Sequence, residues 1–326
     1  MRKSRTILIC ALILFCAFLC CGCSVTSQQS PGSGPYKVYL IVKSTDTEFW
    51  LSAIAGANAA KAEYNIDLVI VGPETEEEYE QQNEFIEQAI RDDADAIVFS
   101  AISYTGNADT IDKAADAGIK IIVIDSDVDS SNVNVRIGTD NLQAGRMTGN
   151  AVMNADLEDF VVGIVNFDKE SRNGQEREMG LREVLESDSR VSGIYTINVS
   201  TDAEAARIGA ELLLNEHPEI NVLVGLNEPL AVGVGKATRV RELGGKVKVV
   251  GFDTNVQCVD MMRDGIVTAL IAQNPYAMGY LGVESAWKLL EGETYNSEQW
   301  IDTATTIVDK ENMFSQESQR MLFSFG

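Results

Sequence analysis

From Val38 onward the chain alternates short apolar runs with amphipathic stretches, and that alternation leaves few folds open. The runs are VYLIV (38–42), DLVIV (67–71), DAIVFS (95–100), KIIVID (120–125), FVVGIVN (160–166), GIYTIN (193–198), NVLVGLN (221–227) and VKVVGFD (247–253). They are short, rich in β-branched residues, and read as strands. Stretches such as EEEYEQQNEFIEQAI, DNLQAGRMTGNAVM, NGQEREMGLREVLE and DAEAARIGAELLLN lie between them and read as amphipathic helices. Strands that alternate with helices form parallel sheets covered on both faces. Four such units, a gap and four more predict an α/β protein of two doubly wound parallel-sheet lobes. No residue-level repeat relates the two halves.

Open α/β sheets bind ligands beyond the carboxyl ends of their strands. The residues found there are Lys43, Ser100, Asp125, Asn166, Asn198, Asn227 and Asp253. Each alone is what a helix cap or a turn uses; a whole set in two lobes points to a polar site. The first strand-to-helix turn adds Phe49 and Trp50 side by side, ahead of the small residues Ala53, Ala57 and Ala60. Adjacent helical positions diverge by about 100°, so the two rings cannot both point squarely into one core. Other features ask for less. His217 before Pro218 reads as a solvated helix end, and Glu74 to Glu80 as an acidic first helical turn. Met261 and Met262 read as helix packing. Gly225, Gly233 and Gly235 lack phosphate-loop or dinucleotide spacing.

Seven stretches in matching order make the chain resemble the ribose/galactose-type (type I) periplasmic binding proteins, solute receptors of sugar ABC importers, from about Tyr36 to Met313. They are LIVKSTDTEFW, VIDSD, IGTDNLQAG, QEREMGL, LNEPLAVG, VVGFD and TALIAQNPYAMG. The resemblance implies that Phe49 and Trp50 are aromatic walls for a sugar ring. It implies that Asp125, Arg177, Asn227, Asp253 and Gln273 bond the hydroxyls, with Ser100 and Thr139 as lesser contacts. It implies lobe 1 over 37–139 and 274–302, lobe 2 over 140–273 and 303–326, and a three-strand hinge near 139, 273 and 302. Sugars suit such a pocket: C–H faces stack on aromatic rings, and vicinal hydroxyls suit Asp, Arg and planar amides. Three positions depart from the family. Lys43, a lysine also present in relatives that recognise autoinducer-2, stands where a hydroxyl or amide is common. Thr47 stands where an Asn or similar polar group is common, and Ser126 replaces an Arg that often follows the fourth-strand Asp. The resemblance therefore implies a monosaccharide or a related small polar molecule as the ligand.

The N-terminus sets the expected location. Arg2, Lys3 and Arg5 precede the apolar run Ile7 to Leu19, which is short for a membrane span and suits a secretory signal. FLCCGCS closes it, with Gly22 before Cys23, and resembles a bacterial lipobox. This predicts a signal peptide over 1–22, lipidation of Cys23, and a Ser/Gly/Pro tether over 23–36. Cys20 and Cys21 remain alternatives, as does an uncleaved anchor. Of six cysteines only Cys258 lies beyond the leader, so no internal disulfide or multi-cysteine metal site is expected. The net charge is −23, and a leader with three positive and no negative residues leaves −26 on the rest. Such a surface repels nucleic acid and anionic lipid, so membrane contact is expected through the lipid alone. A single histidine at a helix end offers no nucleophile–base pair, and no enzymatic activity or cofactor is expected. The expected partner is an ABC permease, with a sensor kinase or chemoreceptor as the alternative, and a monomer is expected.

Overall fold

A computed structural model of the protein describes residues 34–296 and 300–322. Cys20, Cys21, Cys23 and the tether up to residue 33 lie outside the described residues. Among the described residues no helix is long and apolar enough to cross a membrane.

Twelve strands and ten helices make up the described chain. The first half runs β1 (Lys37–Ile41), α1 (Glu48–Tyr64), β2 (Asp67–Val71), α2 (Tyr79–Arg91), β3 (Ala96–Phe99), α3 (Ala108–Asp116), β4 (Lys120–Ile124) and β5 (Val135–Gly138). The second runs α4 (Asn141–Met153), β6 (Phe160–Asn166), α5 (Arg172–Leu185), β7 (Val191–Asn198), α6 (Ala203–Glu216), β8 (Val222–Gly225), α7 (Glu228–Val240), β9 (Lys248–Phe252), α8 (Val256–Arg263) and β10 (Val267–Ala272). The chain then returns through α9 (Pro275–Leu290), β11 (Trp300–Asp302), β12 (Thr306–Asp309) and α10 (Gln316–Leu322).

Two six-stranded sheets result, ordered β11-β5-β4-β3-β1-β2 and β12-β10-β9-β8-β6-β7. The first sheet is parallel throughout, while in the second β12 joins β10 antiparallel. The shared order puts a topological switch point between β1 and β3 in one lobe and between β6 and β8 in the other. That is where an open α/β sheet leaves a crevice for ligand. Inner strands bury both faces, as parallel strands between helices must. Val38 and Leu40 pack with Val98, Ile122 and Ile124 on one side, and Tyr39 and Ile41 with Ile97, Phe99, Ile121 and Val123 on the other. Three segments join the lobes: β5 to α4, β10 to α9, and β11 to β12. Thr303 N–H donates to Gly138 O at 3.1 Å where two of them run side by side.

The small-residue stripe of α1 has a steric reason. α9 crosses α1 so closely that a Cβ on Gly279 would lie 1.8 Å from Ala53 O, and one on Gly56 would lie 2.0 Å from Tyr276 O. The second lobe repeats the device, with Gly145 against Arg177 O and Gly180 against Leu142 O. β5, β10, β11 and β12 are strands beyond the eight runs that the sequence pattern predicts. The sequence VRIG of β5 is short and carries an Arg, and β11 and β12 are edge strands of three and four residues. VTALIA of β10 continues directly into the crossing at Gln273, which hides it as a strand. The helix after β2 begins at Tyr79, so Glu74 to Glu77 precede it instead of forming its first turn. His217 stacks on Tyr195 with centroids 3.5 Å apart and is half-buried, not freely solvated.

Candidate functional site

Asp125 follows β4 and Asp253 follows β9, equivalent places in the two lobes. Both are left-handed, with φ of 58° and 67°. Asp tolerates this conformation better than most residues. The Asp125 N–H reaches Ile137 O at 3.0 Å, and the Asp253 N–H reaches Ile271 O at 2.8 Å. Each turn therefore closes on the next strand and lifts one carboxylate off the sheet end.

The two carboxylates line one small void between the lobes. From the first lobe come Lys43 beyond β1, Phe49 and Trp50 in the first turn of α1, and Asp125. The second lobe adds Arg177 of α5, Asn227 at the start of α7, Asp253, and Gln273 beyond β10. Arg177 is buried and fixed by its own lobe. Its Nε donates to Asn141 Oδ1 at 2.9 Å, Nη1 to Leu226 O at 3.0 Å and Nη2 to Gln273 Oε1 at 3.1 Å. The guanidinium covers the Phe252 ring at 4.0 Å. Gln273 in turn donates Nε2 to Asp253 at 2.5 Å.

Across the void, Lys43 Nζ pairs with Glu76 at 3.1 Å and donates to Ser171 Oγ of the second lobe at 3.2 Å. Trp50 Nε1 donates to the same Glu76 at 2.9 Å. Asp125 accepts from Ser100 Oγ at 3.1 Å and from Asn173 Nδ2 at 3.3 Å, and Arg177 Nη2 lies 3.8 Å away. Burial raises the Asp125 carboxyl against the pull of Lys43 and Arg177, and lowers the Arg177 guanidinium. Asp253 is pushed up to about 6 and Glu228 to about 7, in each case chiefly by desolvation. The wall thus combines aromatic faces with buried acceptors and donors, which suits a small polyhydroxylated molecule.

Eight of the ten residues singled out from sequence line this void: Lys43, Phe49, Trp50, Asp125, Arg177, Asn227, Asp253 and Gln273. Ser100 sits behind Asp125, reaching it through its hydroxyl. Thr139 lies apart, in a recess with Asp127, Asp140, Arg172 and Trp300. Phe49 and Trp50 meet edge to face at 5.0 Å and 82°, so no ring fits between them. Both also belong to one buried apolar cluster of the first lobe, contrary to the expectation that they could not share a core. They form one corner of the void, and the further aromatic wall is Phe167 from the second lobe. Sequence reasoning missed Glu76, Phe167, Asn173 and Glu228. Phe167 directly follows the FVVGIVN run, and an aromatic beyond a strand end was a usable signal. Glu76 gave none, because an acid ahead of a helix has an ordinary explanation. Among the described residues no cluster of three His, Cys, Asp or Glu is arranged to hold a metal.

The periplasmic binding protein domain family matches residues 38–294. The D-ribose/D-allose-binding protein of Pseudomonas aeruginosa is 29% identical over 275 residues, which is 81% of this chain and 85% of that protein. A carbohydrate transporter solute-binding protein from Agrobacterium radiobacter, solved in complex with D-arabinose, superposes with a TM-score of 0.85 at 25% identity. The match covers 89% of this chain and 100% of that one. A sugar transporter from Clostridium phytofermentans is 35% identical with a TM-score of 0.75, over 84% of this chain and 99% of that one.

Proposed function

The chain belongs to the periplasmic binding protein family, and from that premise we propose that it captures a monosaccharide between its lobes and delivers it to an ABC permease. One observation carries the reading. Lys43, Phe49, Trp50 and Asp125 from one sheet and Arg177, Asn227, Asp253 and Gln273 from the other line a single void. Phe49, Trp50 and Phe167 offer apolar faces to the C–H surface of a sugar. The buried carboxylates, guanidinium and amides take the hydroxyls, with Asp253 and Arg177 as the strongest partners because their bonds are charge-assisted.

Lobe 1 takes residues 37–139 and 274–302, lobe 2 takes 140–273 and 303–326, and the three joining segments act as the hinge. Only the closed form offers both halves of the wall, so ligand shifts the population toward closure. The closed surface is what the permease reads. Cys23, directly after the signal peptide, carries the lipid that holds the receptor outside the cytoplasmic membrane.

A thermal-shift screen against ribose, allose, arabinose, fucose, tagatose, glucose and galactose tests the reading. A native-state ligand raises the melting temperature with concentration. At least one sugar is expected to do so, with calorimetry giving one site per chain. No shift from any of these or from other monosaccharides at millimolar concentration overturns the reading.

A further inference from the structure

Two helix starts face each other across the lobes, and a carboxylate from the opposite lobe reaches each one. Glu228, at the start of α7 in the second lobe, accepts the Phe49 N–H at 2.7 Å and the Glu48 N–H at 3.4 Å. Thr47 accepts the Trp50 N–H at 3.4 Å. The N–H groups of α1's opening turn are thus engaged, two of them by the other lobe. In the reverse direction Glu48, in the first turn of α1, accepts the Val256 N–H at the start of α8, at 3.2 Å. Asn255 caps α8 through the Gln257 N–H at 2.7 Å and donates Nδ2 to Glu228 at 2.8 Å, which completes the circuit.

A helix start has unpaired N–H groups and the positive end of the macrodipole, and an acid placed there is favourable. Here each acid and the helix start it serves belong to different lobes. The favourable term therefore exists only with the lobes together. We propose that Glu48 and Glu228 are crossed helix caps that set the balance between closed and open forms, and through it the affinity for every ligand the site takes. This rests on the reading of the protein as a receptor that closes on a small molecule. Glu48 is not among the residues lining the void; it faces a neighbouring recess that shares Phe49, Asp253 and Gln273 with the void and adds Thr254, Pro275 and Leu322. It acts as a positioning residue.

Two single variants break the same bond from opposite ends. Glu48→Ala removes the acceptor. Val256→Pro removes the donor at a first helical position, which tolerates proline, and the preceding Asn255 is already extended. The readouts are hydrogen exchange of the unliganded protein and calorimetry with each sugar that the wild type binds. The distant reporter is the Tyr104 N–H, which bonds Glu170 O of the second lobe at 2.9 Å. Both variants are expected to speed exchange in the peptide carrying Tyr104 and to weaken all sugars by one common factor, about three- to tenfold. Saturating sugar restores protection, and the double variant goes no further than either single one. Unchanged exchange at Tyr104, additive effects, or a factor that differs from sugar to sugar overturns the proposal. Should a variant fail to fold, Glu48→Gln, which keeps an acceptor but removes the charge, gives the same test with a smaller effect. If the wild type binds no sugar, the functional reading falls, while exchange in the unliganded variants still decides the caps.

Discussion

Acidification is expected to close the unliganded protein. Glu228 sits between the lobes, near Asp253 and Glu48, and its acceptor contacts are the Phe49 and Glu48 N–H groups and the Asn255 amide. Burial and the two neighbouring acids push its carboxyl from 4.5 up to about 7, against the pull of the Phe49 N–H and Asn255. Opening wets the group and returns it toward its ordinary value. A carboxyl raised in the closed form binds its proton more tightly there. Its contribution to closure is thus fully present below about 4.5 and is lost as pH rises through about 7. Between pH 8 and pH 5 this amounts to about a 70-fold rise in the closed-to-open ratio, about 2.5 kcal/mol, as an upper bound. Asp253, raised to about 6, acts in the same sense. Protonation leaves Glu228 a carbonyl oxygen to accept the Phe49 N–H, so the crossed cap survives while the buried charge disappears. Small-angle scattering from pH 8 to pH 5 should show the radius of gyration falling in the wild type, with a midpoint between pH 5 and pH 7. In Glu228→Gln the titration should shrink to the smaller part that Asp253 supplies, with its midpoint moved to lower pH. Expansion on acidification, or an unchanged titration in the variant, would refute the reasoning.

Arg177→Leu removes a buried cation that three groups of its own lobe hold and that faces Asp125 and Asp253. It should cost about 3–5 kcal/mol of stability by denaturant unfolding, because those partners are left buried and unpaired. Asp253→Asn keeps a side chain that tolerates the left-handed backbone and should fold normally. It should weaken sugar binding by about 10- to 100-fold in calorimetry through loss of charge-assisted bonds. Gly279→Ala forces a methyl against Ala53 O at the α1–α9 crossing and should lower stability by about 1–3 kcal/mol, whereas Gly34→Ala, with nothing nearby, should be neutral. Trp50 is the only one of the three tryptophans (Trp50, Trp287, Trp300) at the void, so sugar should change the intrinsic fluorescence in the wild type and not in Trp50→Phe.

Residues that terminate strands were legible in the sequence because their chemistry departs from that of the strands they end. Lys43, Asp125, Asn227 and Asp253 each interrupt an apolar run where a sheet must stop. Arg177 and Gln273 sit within helical or crossing segments and were reached only through the resemblance to a family. Glu76 and Glu228 escaped for a physical reason: each acid sits beside a helix start, where acids are ordinary, and neither carboxylate serves the helix beside it. Glu76 turns to Lys43 and Trp50 instead, and Glu228 serves α1 of the other lobe. Local sequence cannot encode that choice, which depends on what the fold brings opposite. The edge strands β11 and β12 were hidden similarly, since three or four residues gain their identity from the sheet they join.

The equivalent aspartates of the two lobes are held differently, and the difference bears on the order of events at the site. Asp253 takes Gln273 Nε2 and the Glu228 N–H, both from its own lobe, and Arg177 beside it is likewise fixed from within. Opening leaves that cluster assembled. Asp125 keeps Ser100 on opening but loses Asn173 and the approach of Arg177, which come from across the cleft. On the proposed function, a sugar entering the open form would therefore meet a preorganised set in the second lobe, whose groups need no rearrangement to bind hydroxyls. The first lobe completes its share only when Asn173 and Ser171 arrive beside Asp125 and Lys43. On the proposed function, the second lobe would be the docking face and the first lobe the closing face, an asymmetry that follows from which lobe supplies each carboxylate with its donors.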